Sequence, residues 1–335
     1  MTTQAANTNE PPIPELAAAP ILGYAMPRAR SPWLTAAKWL LFAAVLAIVG
    51  RVLYQKLREA PWDDLRVGPG WIAMGVACLL VSGVLGVIIR RLLLAGFCTP
   101  PGWLPMAAAS WVPLVGKYVP GKVFSLAGTM WLLRRHGVRD SVAASMLFMT
   151  MGLSMTLGLA LSIPLTFWGP VASRVPFAGL WGGLLLGAFV VALHPRVFAA
   201  LSNYALARFR RPPLASFPRL RNYVEPMLII LFNWGLTGLT LWLIARSMTD
   251  VSPAHIPLFV SAAALAATIG LMAFFAPAGV GVREGIQFAV LVHIIPQHAA
   301  IAVLAMRLLQ TLVEMVLVAV GLGIQAAIGD SPPAT

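Results

Sequence analysis

The chain contains 335 residues, of which 59% are hydrophobic and 10% are charged, and its mean hydropathy is +0.83. This composition lies outside the range of soluble globular proteins, and apolar runs that approach the roughly twenty residues needed to cross a bilayer predict an all-α integral membrane protein. The net charge of +13 also occurs in nucleic-acid-binding proteins, but the arginines cluster in short loops between apolar runs, which is the positive-inside pattern, so we expect no nucleic-acid partner.

The amino-terminal part of the chain predicts a tail and two spans. Residues 1–30 are rich in Pro and Ala and lack a basic start followed by an apolar core. We therefore expect a disordered cytoplasmic tail and no signal peptide. Apolar runs predict full spans over about 33–52 and 70–89. The second span ends in Arg90-Arg91, which places that end in the cytoplasm.

Prolines and glycines interrupt the next apolar stretch. Pro100-Pro101, Pro113 and Pro120-Gly121 punctuate it, and a half-length apolar run over 123–133 leads to a basic loop. Two half-helices that enter and leave from the cytoplasmic side would join one basic loop to the next. We therefore predict a re-entrant hairpin with its tip near Lys117 to Lys122, because open backbone at membrane depth is tolerated only where protein or water surrounds it.

The rest of the chain repeats this order of elements. Its most unusual segment, Pro277-Ala278-Gly279-Val280-Gly281-Val282-Arg283-Glu284-Gly285, interrupts an apolar stretch with a proline, three glycines and two opposite charges. We predict a second re-entrant pair at this break, entered from the outside. The predicted elements are full spans over about 141–168, 177–193, 224–245 and 298–323, a cytoplasmic basic loop over 194–223, and re-entrant arms over 257–276 and 285–295.

Together these elements predict an inverted repeat. Six full spans and two re-entrant broken-helix pairs form one transmembrane domain over residues 31–323, with a first repeat over about 33–168 and a second over about 177–323. Residues 324–335 are expected to be a short tail. Interrupted helices at corresponding positions of two inverted halves are typical of transporters, whose substrate site lies at the repeat interface.

Few charged residues are expected at membrane depth. Arg307, Gln310 and Glu314 have the spacing i, i+3, i+7 and lie on one face of the last helix. We predict that Arg307 pairs with Glu284, and that Glu314 pairs with Lys122 or Arg283, because buried charges must be paired. A purely structural ion-pair network is the alternative interpretation.

Several groups near the two breaks are suited to a phosphate. Lys117 and Lys122 offer ammonium groups beside free backbone donors, although both could extend to the interface instead. Arg283 and Glu284 begin a half-helix, whose amides favour an anion, although Glu284 could simply cap it. Asn233 is expected to bond a neighbouring helix more often than a substrate. The candidate substrate-binding residues are Lys117, Tyr118, Pro120, Gly121, Lys122, Asn233, Gly279, Gly281, Arg283, Glu284, Arg307, Gln310 and Glu314.

The sequence predicts no catalytic residue set, metal site or cofactor. Cys78 and Cys98 are the only cysteines and lie in or beside apolar segments, so they form no metal motif. No histidine pair has metal-ligand spacing beside acidic residues. A Gly-rich nucleotide-binding loop ending in Lys-Ser/Thr is absent from the sequence, so transport would be passive or driven by an ion gradient.

The two breaks together resemble a known family. Val115-Gly116-Lys117-Tyr118-Val119-Pro120-Gly121-Lys122 and the segment Pro277 to Gly285 are similar to the two signature segments of the flippase-like transmembrane domain of bacterial lysylphosphatidylglycerol synthases. The resemblance covers about residues 33–323, and Ala278 stands where a second glycine is common. It implies a membrane domain that moves aminoacylated phosphatidylglycerol between leaflets, while a separate soluble domain makes the lipid. Because the chain ends soon after its last predicted span, we expect the stand-alone form without the synthase domain.

The leading functional hypothesis is a lipid flippase that moves a phospholipid or related charged lipid between leaflets of the bacterial inner membrane, with both termini cytoplasmic. The expected partners are membrane lipids, with a second copy of the chain or a lipid-synthesis enzyme as a further partner. One alternative is a membrane-embedded lipid-modifying transferase with Glu284 or Glu314 as general base, although no activated nucleophile stands out. Another alternative is an accessory subunit of a lipid-synthesis complex.

Overall fold

Regular secondary structure in the described part of the chain is entirely helical. The structure, a computed structural model, describes residues 67–118, 123–173, 178–208, 221–273 and 279–328, together with positions 51, 54, 55, 58 and 276. The helices are α1 (Pro69–Ala95), α2 (Trp103–Trp111), α3 (Val123–Arg135), α4 (Asp140–Phe167), α5 (Ala178–Leu193), α6 (Pro195–Arg208), α7 (Arg221–Met248), α8 (Ile256–Met272), α9 (Val282–Leu291) and α10 (Ala299–Ile328); short helical turns are Val112–Tyr118, Gly169–Ala172 and Pro253–His255.

Five of the described helices are long and apolar enough to cross a membrane. They are α1, α4, α7, α10, and α8 together with the turn that precedes it. A sixth crossing is available if α5 and α6 count as one span, although the two meet at an angle of 78°. These helices make the protein a multi-pass membrane protein, as the hydropathy predicts.

The predicted spans at 70–89, 141–168, 224–245 and 298–323 are confirmed as helices of membrane-spanning length. The predicted first span at 33–52 and the tail at 1–30 lie outside the described residues, apart from position 51.

Three details differ from the prediction. The 194–223 stretch is not all loop, because α6 occupies much of it. Helix α9 begins at Val282, three residues before the predicted 285, so Arg283 and Glu284 lie in its first turn. Helix α10 continues to Ile328 instead of giving way to a tail at 324, since the sequence from 324 to 328 contains no Gly or Pro to end a helix.

The apolar core has two parts that share the long helices. One part surrounds the fully buried Phe259 and joins the carboxyl-terminal half of α7 to α8, α9 and α10. The other surrounds Met106 and Met146 and joins the end of α1 to α2, α3, α4 and the first half of α7. The helices that flank each break therefore pack into their own core region.

Small residues allow the long helices to approach closely. A methyl group added at Gly238 would lie 2.2 Å from the Cα atom of Val260, so α7 and α8 touch backbone to backbone. A methyl group at Gly158 would lie 2.3 Å from Oγ1 of Thr268. Close packing through small residues is the usual way in which membrane helices associate. It fixes α8, and with it the second break, against α4 and α7.

Both breaks lie beside the last helix. Along α10, Arg307 contacts the start of α9, and Glu314 contacts the turn Val112–Tyr118. Their seven-residue spacing corresponds to about 10 Å along the helix axis. The two interrupted segments therefore meet α10 within about two helical turns of each other.

Candidate functional site

The first part of the site is an ion pair at the start of α9. Gly281 has a φ of 84°, a left-handed conformation that favours glycine, and its backbone N–H donates to Oε2 of Glu284 at 2.7 Å. The other carboxylate oxygen, Oε1, lies 3.3 Å from Nε of Arg307. The Glu284 side chain is 7% exposed. The predicted Arg307–Glu284 pair is confirmed, and Glu284 also caps the helix, so the two interpretations hold together.

The second part of the site is a cluster at the first break. The Lys117 ammonium group forms an ion pair with Oε1 of Glu314. The Tyr118 hydroxyl donates to Oε2 of the same carboxylate at 2.7 Å and lies 3.3 Å from Oγ1 of Thr311. Among the described residues the partner of Glu314 is therefore Lys117, at the near end of the segment that also contains Lys122, and not Arg283. Lys122 lies outside the described residues.

Arg283, in the first turn of α9, lies against two glycines. A methyl group at Gly270 would lie 2.6 Å from Cγ of Arg283, and one at Gly279 would lie 3.3 Å from the same atom. Gly279 itself has a φ of 71°. The two glycines thus form a slot for the Arg283 side chain. Its Nε is buried and has no hydrogen-bond partner within the described ranges.

The charges of the site do not cancel. Among the described residues, three cationic side chains (Lys117, Arg283, Arg307) and two carboxylates (Glu284, Glu314) give a net charge of +1. The Tyr118 ring links the two pairs, since Cζ of Arg307 lies 6.0 Å from its centroid. Charged groups at membrane depth are expensive and mark functional sites. This cluster has the charge needed to attract an anion.

A cavity of about 200 Å³ opens beside Glu314, between α1, α2, α7 and α10. Arg90 lines it and donates from Nη1 to the backbone oxygen of Ser110 at 3.1 Å. Trp111 lines it too, and its indole N–H donates to the backbone oxygen of Gly83 at 3.1 Å. The cavity therefore has a cationic group, an indole and a carboxylate in its wall.

A second, smaller cavity of about 20 Å³ lies between α7, α8, α9 and α10. Arg283, Glu284 and Arg307 line it together with Gln287. Thr237 and Gln310 belong to the walls of both cavities. These two residues therefore lie between the larger cavity and the smaller one.

Comparison with protein families identifies the type of membrane domain. The family model described as the lysylphosphatidylglycerol synthase TM region matches residues 29–321. The chain belongs to this family. No curated protein matches the sequence significantly. Family membership points to a role connected with membrane lipids.

In this member of the lysylphosphatidylglycerol synthase TM family, the predicted site residues fall into three groups. Those brought together at the centre are Lys117, Tyr118, Gly279, Gly281, Arg283, Glu284, Arg307, Gln310 and Glu314. Asn233 stands apart on α7; its Oδ1 is buried without a partner in the described part of the chain, so the expected bond to a neighbouring helix is not observed there. Pro120, Gly121 and Lys122 lie outside the described residues.

Four further residues of this family member reach the site without being among the predicted ones. Thr237 is four residues from Asn233 on α7, and Gln287 is three residues from Glu284 on α9, so a search for polar residues at i+3 and i+4 would find both. Thr311 is four residues from Arg307. Arg90 is assigned to a basic loop by the sequence, but it lies within α1, which continues to Ala95.

The described residues do not bring together a metal-binding group. No three side chains among His, Cys, Asp and Glu come close enough to hold an ion within the ranges that the structure covers. The polar groups that this family member gathers at its centre are instead guanidinium, ammonium, carboxylate, amide and hydroxyl groups. Such groups bind ions and polar headgroups through hydrogen bonds and charge.

Proposed function

We propose that this protein moves a phospholipid between the two leaflets of the bacterial inner membrane and performs no covalent chemistry on it. The observation that carries the proposal is the net positive cluster at the meeting point of two interrupted helices, inside a membrane domain. Moving a lipid between leaflets requires its charged headgroup to cross hydrocarbon. A line of protein charges lowers that barrier, while the acyl chains stay in the bilayer.

The larger cavity is the proposed entry for the headgroup. Arg90 provides a cation in its wall, and Glu314, which pairs with Lys117, lines the same cavity. Gln310 and Thr237 lead from there to the smaller cavity with Arg283 and Arg307. A phosphate would therefore meet cationic donors at each stage. The carboxylates hold these cations in place when no lipid is bound, and they would also accept an amine of the headgroup.

We further propose that α8 and α9 form a re-entrant pair that enters from the outer side. Ser261 near the start of α8 donates to the backbone oxygen of Leu161 at 2.6 Å, close to the end of α4. His293, just after α9, packs edge-on against Trp168 at 5.8 Å, just after α4. The beginning of α8 and the end of α9 thus lie near the same end of α4. This supports a hairpin whose break lies at membrane depth.

The same proposal covers the wider architecture. Six full spans, two re-entrant pairs related as an inverted repeat and cytoplasmic termini would place both breaks at the repeat interface, as in transporters. Cysteine accessibility to a membrane-impermeant reagent tests the second pair directly. We expect labelling of a cysteine introduced at Ser252 and of one introduced at Gln297 from the same, outer side; labelling from opposite sides would contradict the re-entrant arrangement.

The test of lipid transfer uses proteoliposomes that contain fluorescent phosphatidylglycerol in both leaflets. Dithionite destroys the fluorescence of the outer leaflet, and continued loss reports transfer. We expect Arg283→Ala to slow protein-dependent transfer about tenfold or more, which corresponds to about 1.4 kcal/mol of barrier. Arg283→Lys, which keeps the charge, should retain more activity.

Arg246→Ala is the matched control, since Arg246 lies at the end of α7 and pairs with Asp250 away from the cavities. It should transfer lipid at the wild-type rate. Equal rates for wild type, Arg283→Ala and empty vesicles would refute the proposal. A covalently altered lipid detected by mass spectrometry after incubation would instead favour a transferase.

A further inference from the structure

Two unpaired guanidinium N–H groups belong to residues that line the smaller cavity. Nε of Arg283 and Nη2 of Arg307 are buried and have no hydrogen-bond partner in the part of the chain that the structure describes. Both residues line the cavity between α7, α8, α9 and α10. Buried donors normally have an acceptor, since an unpaired one costs free energy. Two charged donors beside one cavity therefore indicate a missing acceptor.

The neighbouring carboxylates are already engaged. Oε1 of Glu284 contacts Arg307, and Oε2 accepts the backbone N–H of Gly281. Both oxygens of Glu314 are bound by Lys117 and Tyr118. Each carboxylate is thus held by its own partners, and the centre keeps the +1 charge counted above. The missing acceptor should therefore carry a negative charge.

The size of the cavity limits what can bind there. Its volume of about 20 Å³ exceeds the roughly 10–15 Å³ that one water-sized species needs. A tetrahedral phosphate with its oxygens would require the walls to move. Further donors are available, since the side-chain amides of Gln287 and Gln310 also line the space. The cavity therefore fits one monoatomic anion surrounded by N–H groups.

The position of Arg283 in this wall is fixed by backbone. The side chain lies in a narrow slot, because a methyl group at Gly270 would collide with it at 2.6 Å and one at Gly279 would contact it tightly at 3.3 Å. Holding a long cationic side chain in one conformation costs conformational entropy. A slot that presents a fixed donor is typical of a built binding site.

From these observations we infer that the smaller cavity binds a small monovalent inorganic anion, for which chloride is the test ligand, between Arg283 and Arg307. The anion balances the net positive charge of the site and accepts hydrogen bonds from the two unpaired N–H groups. This site does not depend on lipid transfer, and it would exist in the absence of any lipid substrate. In a lipid transporter, the same anion would be the resting counter-ion of the centre.

The experiment measures thermal unfolding of the purified full-length protein in detergent, with sodium chloride replaced stepwise by sodium gluconate at constant ionic strength. A ligand that binds only the folded state raises the unfolding temperature in a saturable way. We expect an increase of about 2–6 °C from zero to saturating chloride for the wild type. Bromide should act in the same way.

Three variants test the assignment. Arg283→Gln should abolish the chloride response, and Gly270→Ala should weaken it at least tenfold in concentration, because the added methyl group displaces Arg283 without removing its charge. Arg246→Gln, an arginine at the end of α7, should respond like the wild type. If Arg283→Gln does not fold, the chloride response of Gly270→Ala decides whether the anion binds at this cavity.

Two results would overturn the inference. One is an unfolding temperature that is the same in chloride and gluconate, which would mean that water fills the cavity. The other is a chloride response that Gly270→Ala and Arg283→Gln both retain, which would place the anion elsewhere. Neither result affects the transfer assay, so the lipid-transfer proposal is tested independently.

Discussion

The two helix breaks differ in how their carboxylates are held. Glu284 at the second break is 7% exposed, accepts a backbone N–H and pairs with Arg307. Glu314, which serves the first break, is 21% exposed, belongs to the wall of the larger cavity and is bound by side chains alone. The carboxylate at the second break is therefore buried and held by the backbone, whereas the carboxylate at the first break is partly exposed in the wall of a cavity. We therefore expect the fold to depend more on the second break, and in the proposed lipid transfer we expect the headgroup to meet the first break first.

The largest loss of stability is expected for Glu284→Ala. It removes the cap of α9 and takes from the Arg307 guanidinium its carboxylate partner. Removing one partner of a buried ion pair costs about 3–5 kcal/mol. Glu314→Ala should cost less, because its pair is more exposed. Thermal unfolding in detergent measures both variants, and a larger loss for Glu314→Ala would contradict the distinction.

The next largest effect is expected at Gly279. Its φ of 71° is strained for any residue with a side chain, and a methyl group there would lie 3.0 Å from the backbone oxygen of Gly270. Such strain costs about 1–3 kcal/mol. Gly279→Ala should therefore lower the unfolding temperature and shift Arg283.

Gly235→Ala is the matched control, because this glycine lies in α7 and a methyl group added there would meet only open space. It should leave the unfolding temperature nearly unchanged or raise it slightly, since alanine favours helix more than glycine does. Equal losses at Gly235 and Gly279 would show that the turn at the second break carries no special constraint.

A double-mutant cycle at Lys117 and Glu314 measures how strongly the ion pair at the first break contributes to stability. The ammonium group and the carboxylate form the ion pair of the first break, and both side chains are about one fifth exposed. Residues in direct contact have coupling energies of about 0.5–3 kcal/mol. We expect Lys117→Gln and Glu314→Gln to couple within this range in stability. Both should also reduce lipid transfer, since the pair lies beside the proposed entry.

A negligible coupling between the two substitutions would mean that the pair contributes nothing to stability, and the first break would then be held by packing alone. The cycle also separates structure from function. If stability couples while the transfer rate stays at the wild-type value in all three variants, the first break does not take part in headgroup passage.

The spans and the Arg307–Glu284 pair are predictable from the sequence for identifiable reasons. Hydropathy over twenty residues reflects the thickness of the bilayer, and a buried charge in a membrane demands a partner, so few choices remain for Arg307. The observed Lys117–Glu314 pair is not predicted because Lys117 and Lys122 lie at the two ends of one segment, and residue types alone do not tell which end meets α10. Arg90 is not predicted as a residue of the site, because the sequence of a basic pair at the end of an apolar run is the same whether the pair lies inside the helix or after it.

Helix α6 escapes prediction for a similar reason. Six arginines between 194 and 223 are typical of a cytoplasmic loop, yet the Pro195–Arg208 part has a composition that also suits an amphipathic helix. Charge count reports the side of the membrane on which a segment lies. It does not report whether the segment is helical.

The smallest predicted effect concerns Tyr118, which connects the two breaks. Its hydroxyl donates to Glu314 at 2.7 Å, and its ring lies under the Arg307 guanidinium. Tyr118→Phe removes one hydrogen bond and keeps the ring, so we expect a loss of about 0.5–1.5 kcal/mol in stability. Tyr118→Leu also removes the cation–π contact with Arg307 and should cost about 0.5–1 kcal/mol more. If the ring links the two breaks, Tyr118→Leu will slow lipid transfer more than Tyr118→Phe does; equal rates for the two would show that the breaks work independently.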